Sequence, residues 1–267
     1  MKKDLTILDF SIYENPFDPK SDALLQKATE NAGFHSKIVN FSRDVVPEVD
    51  SEWVWLRYDI RSRSDLKWIL EVAATLKRKG QNIFPSPKSI WLAEDKWETF
   101  LALKRIGTPL PITFRSRDLQ KCGFPAILKT RVGWGSMGNR VILEEKAMAS
   151  LSPYRKDDYI CQRFIPHEKT LIIALAGGIE IACLEDYGKT GHDEEGVIPV
   201  KTPHTALELA QKALKATGLC TGTVDLIDTP EGLKVLEVNS APRISYPHIP
   251  GLDLAKPMVN AVLEKEN

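Results

Sequence analysis

Two apolar segments near the end of the chain, GTVDLI (222–227) and LKVLEVN (233–239), flank the turn-forming residues Asp228 to Gly232, and each carries one acid at its middle. This pattern reads as a β-hairpin, since proline and glycine sit in the spacer where a turn needs them. Side chains alternate along a strand, so Asp225, Glu237 and Asn239 share one face, with Glu237 diagonal to Asp225. Two carboxylates this close on an apolar hairpin repel and raise each other's pKa unless a cation lies between them. Mg2+ meets that need, because it takes hard oxygen ligands from one or two carboxylates and from phosphates, and Asn239 adds a carbonyl oxygen. A solvated strand acid paired with a lysine is the alternative, which the flanking V-D-L and L-E-V oppose.

A second feature is the run Gly133, Trp134, Gly135, Ser136, Met137, Gly138, a literal G-x-G-x-x-G. A dinucleotide fingerprint needs strand, loop and helix in that order, whereas here the strand AILKT precedes the loop and the strand-like RVILEE follows it. A glycine loop inside a hairpin suits a flap over a triphosphate, with backbone N–H groups close to the phosphates. Lys129, just before the loop, supplies a point charge for a phosphate. An ordinary glycine turn beside a surface lysine is the competing reading.

The first third alternates strand-like and helix-like stretches, which implies a small α/β unit with a parallel sheet. In its second helix Leu66, Ile69, Leu70 and Ala73 recur at helical spacing, with Ser64 as N-cap and Gly80 past the end. Pro85 and Pro87 mark a boundary, giving a domain at 1–86 and a second at 87–267, the latter divided into about 87–164 and 165–267. One continuous helix is expected over SIWLAEDKWETFLALKRIG. Thr205 and Glu208 suggest a capping box for a later helix that ends at Gly218. Lys plus Arg number 36 and Asp plus Glu number 36, so no global field favours nucleic acid or an anionic membrane. No signal-peptide core or run of about 20 apolar residues stands out, which places the chain in the cytoplasm. Cys122, Cys161, Cys183 and Cys220 are widely spaced without a CxxC pair and read as buried free thiols.

Together these segments resemble the ATP-grasp enzymes, and among them the RimK-type ligases that add amino acids to carboxyl groups. The resemblance spans nearly the whole chain and is most specific over GTVDLIDTPEGLKVLEVNSAP. It implies a mixed α/β (α+β) fold, an ATP-grasp fold preceded by a small Rossmann-like N-terminal α/β domain. It also implies ATP with Mg2+, Mn2+ being an alternative, and Asp225, Glu237 and Asn239 as metal ligands. AEDKWETFLALKRIGTPLP resembles the family's D-K helix, making Lys96 the first nucleotide-contacting lysine and Lys129 the second. YICQRFIP resembles the linker whose backbone meets adenine, at Gln162, Arg163, Phe164 and Ile165, with Glu168 toward the ribose.

The implied reaction activates a carboxylate as an acylphosphate, joins it to an amine and releases ADP and phosphate. The partners are then a small-molecule or peptide carboxylate and an amine or amino acid, with neither nucleic acid nor membrane; assembly of like subunits is left open. Departures fall on the acceptor side. Thr170, Leu171 and Ile172 stand where the family carries an acid and an arginine, and GKTGHDEEGVIPVKT replaces an Asn- and Gly-rich segment, with Lys189, His192 or Lys201 as substitutes. Arg243 stands where the family has glycine, and with Lys129 it is the catalytic candidate, facing a substrate anion. Arg57, Arg61 and Arg63 are candidates for a carboxylate contact, and Trp134 for an apolar lid. An ATP-grasp small-molecule kinase and a nucleotide-binding interaction protein without turnover are the rival readings.

Overall fold

Strands β1 (Asp4–Phe10), β2 (His35–Asn40), β3 (Trp53–Tyr58) and β4 (Asn82–Phe84) form a parallel sheet in the order β2-β1-β3-β4. The structure is a computed structural model that describes residues 3–10, 21–133, 138–144, 158–187 and 196–264. Helices α1 (Ser21–Asn31) and α2 (Arg63–Arg78) cover opposite faces of this sheet, and that is why β3 reads WVWLRY with apolar residues on both sides. Trp53 and Trp55 join one core with Leu25 of α1, while Val54 and Leu56 join another with Leu66, Ile69 and Val72 of α2.

Ser62 caps α2, rather than Ser64: its Oγ accepts the Asp65 amide at 3.2 Å, and the Asp65 carboxylate in turn accepts the Ser62 hydroxyl at 2.7 Å. Beyond Pro85 the expected single helix is two, α3 (Pro87–Glu94) and α4 (Lys96–Arg105). Asp95 breaks them with an extended backbone and caps α4, accepting the Trp97 amide at 3.0 Å. Its capping preference outweighs the helical periodicity that runs through it.

The chain then builds two antiparallel sheets. The first contains β5 (Thr113–Arg115), β6 (Ala126–Thr130), β7 (Arg140–Ile142) and β8 (Tyr159–Arg163) in the order β5-β8-β6-β7, with a 3-10 segment, Ser116–Cys122, against one face. The second contains β9 (Thr170–Ala176), β10 (Ile179–Asp186), β11 (Val197–Pro199), β12 (Thr221–Ile227) and β13 (Lys234–Asn239) in the order β11-β10-β9-β12-β13. Helix α5 (His204–Thr217) covers the outer face of the second sheet through Ala206, Ala210, Ala213 and Leu214, and Gly218 ends it in a left-handed conformation. The Thr205–Glu208 capping box does not form: the helix begins at His204 after Pro203, so Thr205 already lies inside it.

Helix α6 (Ala255–Glu264) inserts Met258, Val259 and Val262 into the core shared by the parallel sheet and the second antiparallel sheet. The two are thus fused by a common apolar core rather than joined by a bare linker. Among the described residues no helix is long and apolar enough to cross a membrane.

Candidate functional site

The inner faces of the two antiparallel sheets meet α4 at a narrow cleft lined by Lys96, Phe100, Lys129, Ile160, Gln162 and Glu237, among others. Strand alternation explains the selection. In β6 and β8 the residues Leu128 and Cys161 point into the core beneath the 3-10 segment, and their neighbours Lys129, Ile160 and Gln162 point into the cleft.

The β12–β13 hairpin forms as expected but with a different register. A bulge falls between Asp225 and Leu226, so Leu236 is extra and Asp225 pairs directly with Glu237 instead of lying diagonal to it. Thr223 pairs with Asn239, which keeps Asp225, Glu237 and Asn239 on one face. Burial and the facing Glu237 push the Asp225 carboxyl up to about 8; an Asn239 hydrogen bond and Lys129 oppose them, and Asp186 adds to them. The Asn239 amide donates to Thr223 Oγ1 at 3.3 Å and Asp225 Oδ1 at 3.4 Å.

Two lysines face these acids. Lys96, the first residue of α4, places its ammonium 2.8 Å from Glu237 Oε1 and donates to the Gly133 carbonyl at the base of the glycine loop. Burial lowers the pKa of Lys129, with Glu237 and Asp225 opposing and Lys96 reinforcing that shift. The loop is entered and left through Gly133 and Gly138, both at positive φ, and a Cβ on either would crowd Thr130 at 3.2 and 3.1 Å respectively. Trp134, Gly135, Ser136 and Met137 lie outside the described residues, as do Lys189 and His192.

Four supporting contacts have no counterpart in the sequence pattern. Arg131 and Asp95 form a buried two-point ion pair, Nε to Oδ1 at 3.0 Å and Nη2 to Oδ2 at 2.5 Å, and the Arg131 carbonyl accepts the Lys96 amide at 2.8 Å. This ties the root of the glycine loop to the start of α4. Glu94 hydrogen-bonds the Ser240 hydroxyl, which meets the Tyr58 hydroxyl at 2.6 Å, so a polar chain runs from the parallel sheet to the end of the hairpin. Burial raises the Glu94 pKa, with Ser240 and Lys96 opposing it. The capping motif around Asp95 carried a signal for the first of these; nothing local encodes partners 146 or 182 residues apart.

The remaining candidates are placed differently. The amides of Arg163 and Phe164 donate to Ile112 and Pro125 carbonyls at 2.7 and 3.0 Å, so in the Gln162–Ile165 linker these two N–H groups serve the fold. Gln162 donates its side-chain amide to Thr113 Oγ1 at 3.1 Å, and Glu168 is exposed just beyond. The arginine cluster is divided among three acids: Arg57 pairs with Asp22 at 3.1 Å and donates to the Pro242 carbonyl at 3.0 Å, Arg61 pairs with Asp59 at 2.9 Å, and Arg63 with Asp158 at 3.3 Å. Arg243 donates from Nε to the Ser245 carbonyl at 2.7 Å and stacks 4.9 Å from the Tyr246 ring centre. Ile172 is the cross-strand neighbour of Asp225, so an aliphatic residue flanks the acid pair.

The family described as ATP-grasp domain matches residues 93–246, more than half of the chain and the whole of the cleft. The chain belongs to the ATP-grasp family. A probable alpha-L-glutamate ligase of Mannheimia succiniciproducens is 31% identical over 205 residues, covering 68% of this chain and 67% of that one. A RimK domain ATP-grasp protein from Sphaerobacter thermophilus superposes with a TM-score of 0.74 at 16% identity, over 97% of this chain and 99% of the other. The D-alanine–D-alanine ligase of Bacillus anthracis complexed with ATP gives a TM-score of 0.74 at 15% identity, with both chains covered fully. These superpositions establish the ATP-grasp fold for nearly the entire chain.

Proposed function

We propose that this ATP-grasp protein is an ATP-dependent carboxylate–amine ligase whose reaction takes place in the cleft between the two antiparallel sheets. The observation that carries this reading is that Lys96, Lys129 and Glu237 line one cleft while Asp225 and Asn239 lie on the same hairpin face as Glu237, so that four elements bring two lysines, two acids and an amide together. Kinship to a probable glutamate ligase and to proteins of the RimK and D-alanine–D-alanine ligase types supports ligation as the class of reaction.

A divalent cation fits the hairpin. Asp225 and Glu237 face each other as register partners, and the Asp225 carboxyl is pushed up to about 8 by burial and that neighbour, a conflict that a cation would relieve. No group of three or more His, Cys, Asp or Glu side chains suited to a metal occurs among the described residues, so the protein offers two carboxylates and the Asn239 amide. Such a partial set is what Mg2+ accepts when phosphates and water complete its shell. Asn239 would present its oxygen by turning its amide. When bound, the ion supplies charge neutralisation to the phosphates.

Lys129 and Lys96 then hold phosphate oxygens, Lys96 exchanging its Glu237 partner for the nucleotide. The glycine-rich run from Gly133 to Gly138 is assigned to the phosphates, which backbone N–H groups approach where no Cβ stands in the way. Of the Gln162 to Ile165 backbone, the Ile165 amide is the group offered to adenine, since the Arg163 and Phe164 amides serve the sheet and His167 meets the Ile165 carbonyl at 2.7 Å. Glu168 reaches the ribose, and Arg243 receives a substrate anion after leaving its own segment. We assign residues 1–86 to an acceptor-side domain and 87–267 to the nucleotide-binding grasp, with the cytoplasm, where ATP is available, as the site of action.

The test is phosphate release from ATP and Mg2+ over a panel of amino acids, amines and carboxylates, with calorimetric titration of ATP alongside. Acceptor-dependent phosphate release that is lost in Glu237→Gln is the expected result. A phosphorylated acceptor with no free phosphate would instead identify a kinase. ATP binding with no release on any acceptor would remove the ligase reading.

A further inference from the structure

Cys122 and Cys161 are 39 residues apart in sequence and have no motif in common, yet their Sγ atoms lie 2.7 Å from each other in the core of the first antiparallel sheet. Both are buried, at 2% and 0% exposure, and both are free thiols. An S–S bond of about 2.05 Å needs only a sub-ångström approach of the sulfurs from this position. Cys122 ends the 3-10 segment, and Cys161 lies in β8 immediately before Gln162, the first residue of the linker proposed to face adenine.

We propose that Cys122 and Cys161 are a redox modification site, at which a hydroperoxide converts the two thiols into a reversible disulfide. The environments of the sulfurs assign their roles. A hydrogen bond from Cys161 holds the Cys122 thiol below its ordinary pKa against burial, with help from the Arg163 guanidinium, whose Nη1 donates to the Cys122 carbonyl at 3.3 Å. The same hydrogen bond, together with burial, holds Cys161 protonated. The Arg163 guanidinium beside Cys122 favours a thiolate there, so the steps run with Cys122 attacking and Cys161 resolving, and exchanging the two sulfurs gives the same disulfide.

In the first step Cys122 Sγ attacks one peroxide oxygen: an S–O bond forms, the O–O bond breaks, and the released hydroxide takes the proton that Cys122 gave up. Cys161 Sγ then attacks the sulfenic sulfur: the S–S bond forms, the S–O bond breaks, and the departing hydroxide takes the Cys161 proton. Two thiols and one hydrogen peroxide yield one disulfide and two waters, an organic hydroperoxide giving an alcohol in place of one water, with each sulfur oxidised by one electron. The bond would tie the 3-10 segment to the strand that runs into the linker, linking redox state to the nucleotide side of the cleft. Cys183 and Cys220 are also buried, and burial pushes the Cys183 thiol up, which makes them the internal controls.

Hydrogen peroxide treatment of the full chain, followed by denaturation, thiol titration and intact-mass measurement, is the test. The expected result is a fall from four titratable thiols to two, with a loss of about 2 Da per chain that dithiothreitol reverses. Peptide mapping should place the cross-link between Cys122 and Cys161, and Cys122→Ser and Cys161→Ser should each abolish it. Four thiols remaining, oxygen addition to one cysteine without a cross-link, or a disulfide between separate chains would each overturn the proposal. The readout is covalent and independent of ATP turnover, so it stands or fails apart from the ligase reading.

Discussion

Two charged pairs meet at Lys96, one through its amide and one through its ammonium, and solve opposite problems. Asp95 and Arg131 are of opposite sign, buried together and matched at two points. Asp225 and Glu237 are of like sign, face each other across a bulged hairpin, and receive only partial relief from Lys96 and Lys129. The first pair is what a fold builds to fix the position of a helix start. The second carries an electrostatic conflict that the fold alone leaves standing, and such conflicts concentrate where a ligand is meant to resolve them.

The sharpest way to break this contrast is to neutralise one member of the unresolved pair. Glu237→Gln keeps the shape of the side chain and removes its charge, and turnover of ATP with acceptor should fall on the order of 10²–10³-fold, the scale of losing one charge-stabilising group. Circular dichroism should remain unchanged. Full activity in this variant would mean that the acid pair has no part in the reaction.

The matched pair should fail in the other direction. Arg131→Met leaves the Asp95 charge buried without its partner, and urea denaturation should show a loss of about 3 kcal/mol. Replacing both, as Asp95→Asn with Arg131→Met, should recover part of that loss, because Asn still caps α4 and the buried Asp95 charge is gone, leaving only the more exposed Glu98, 3.7 Å from the Arg131 guanidinium in the wild type, without its partner. A single variant costing under about 1 kcal/mol would show that the pair behaves like a surface bridge.

What the sequence made legible follows from the range over which each feature is encoded. The face shared by Asp225, Glu237 and Asn239 is set by alternation within a single hairpin and was readable; the bulge at Leu236, which turns a diagonal pair into a direct one, depends on packing across the sheet and was not. A helix was readable over 89–107, but its break at Asp95 is fixed jointly by a cap and by Arg131, 36 residues away. Arg57, Arg61 and Arg63 looked like one anion site because they are close in sequence, whereas the fold hands each to a different acid. Cys122 and Cys161 looked unrelated for the converse reason.

A smaller effect sharpens the comparison through pH. In metal-free protein the Asp225 carboxyl is raised from 3.8 to about 8, so the folded state binds its proton more tightly than the unfolded state does. This stabilisation is fully present below the unfolded value and is lost as pH rises through about 8, so stability should decline from pH 4 toward pH 8. Each pKa unit retained in solution is worth about 1.4 kcal/mol. Asp225→Asn should remove this decline and melt higher than wild type near pH 8 in the presence of a chelator. Parallel pH profiles for the two proteins would show that the hairpin carries no such conflict.

The smallest effect concerns the chain of hydroxyls that joins the parallel sheet to the hairpin end. Tyr58→Phe removes the hydroxyl that meets Ser240 at 2.6 Å but leaves the Ser240 bond to Glu94 in place, so no buried partner is orphaned. The cost should be about 1 kcal/mol, the net worth of one internal hydrogen bond. Its placement matters more than its size. If Tyr58 only helps to dock the sheet, ATP affinity should be unchanged while stability falls. If the hydroxyl also holds Glu94 against Ser240 and thereby sets the charge around Lys96, calorimetric titration should show weaker ATP binding as well. That second outcome would add Glu94 to Asp225 and Glu237 as an acid whose burial matters to the ligand.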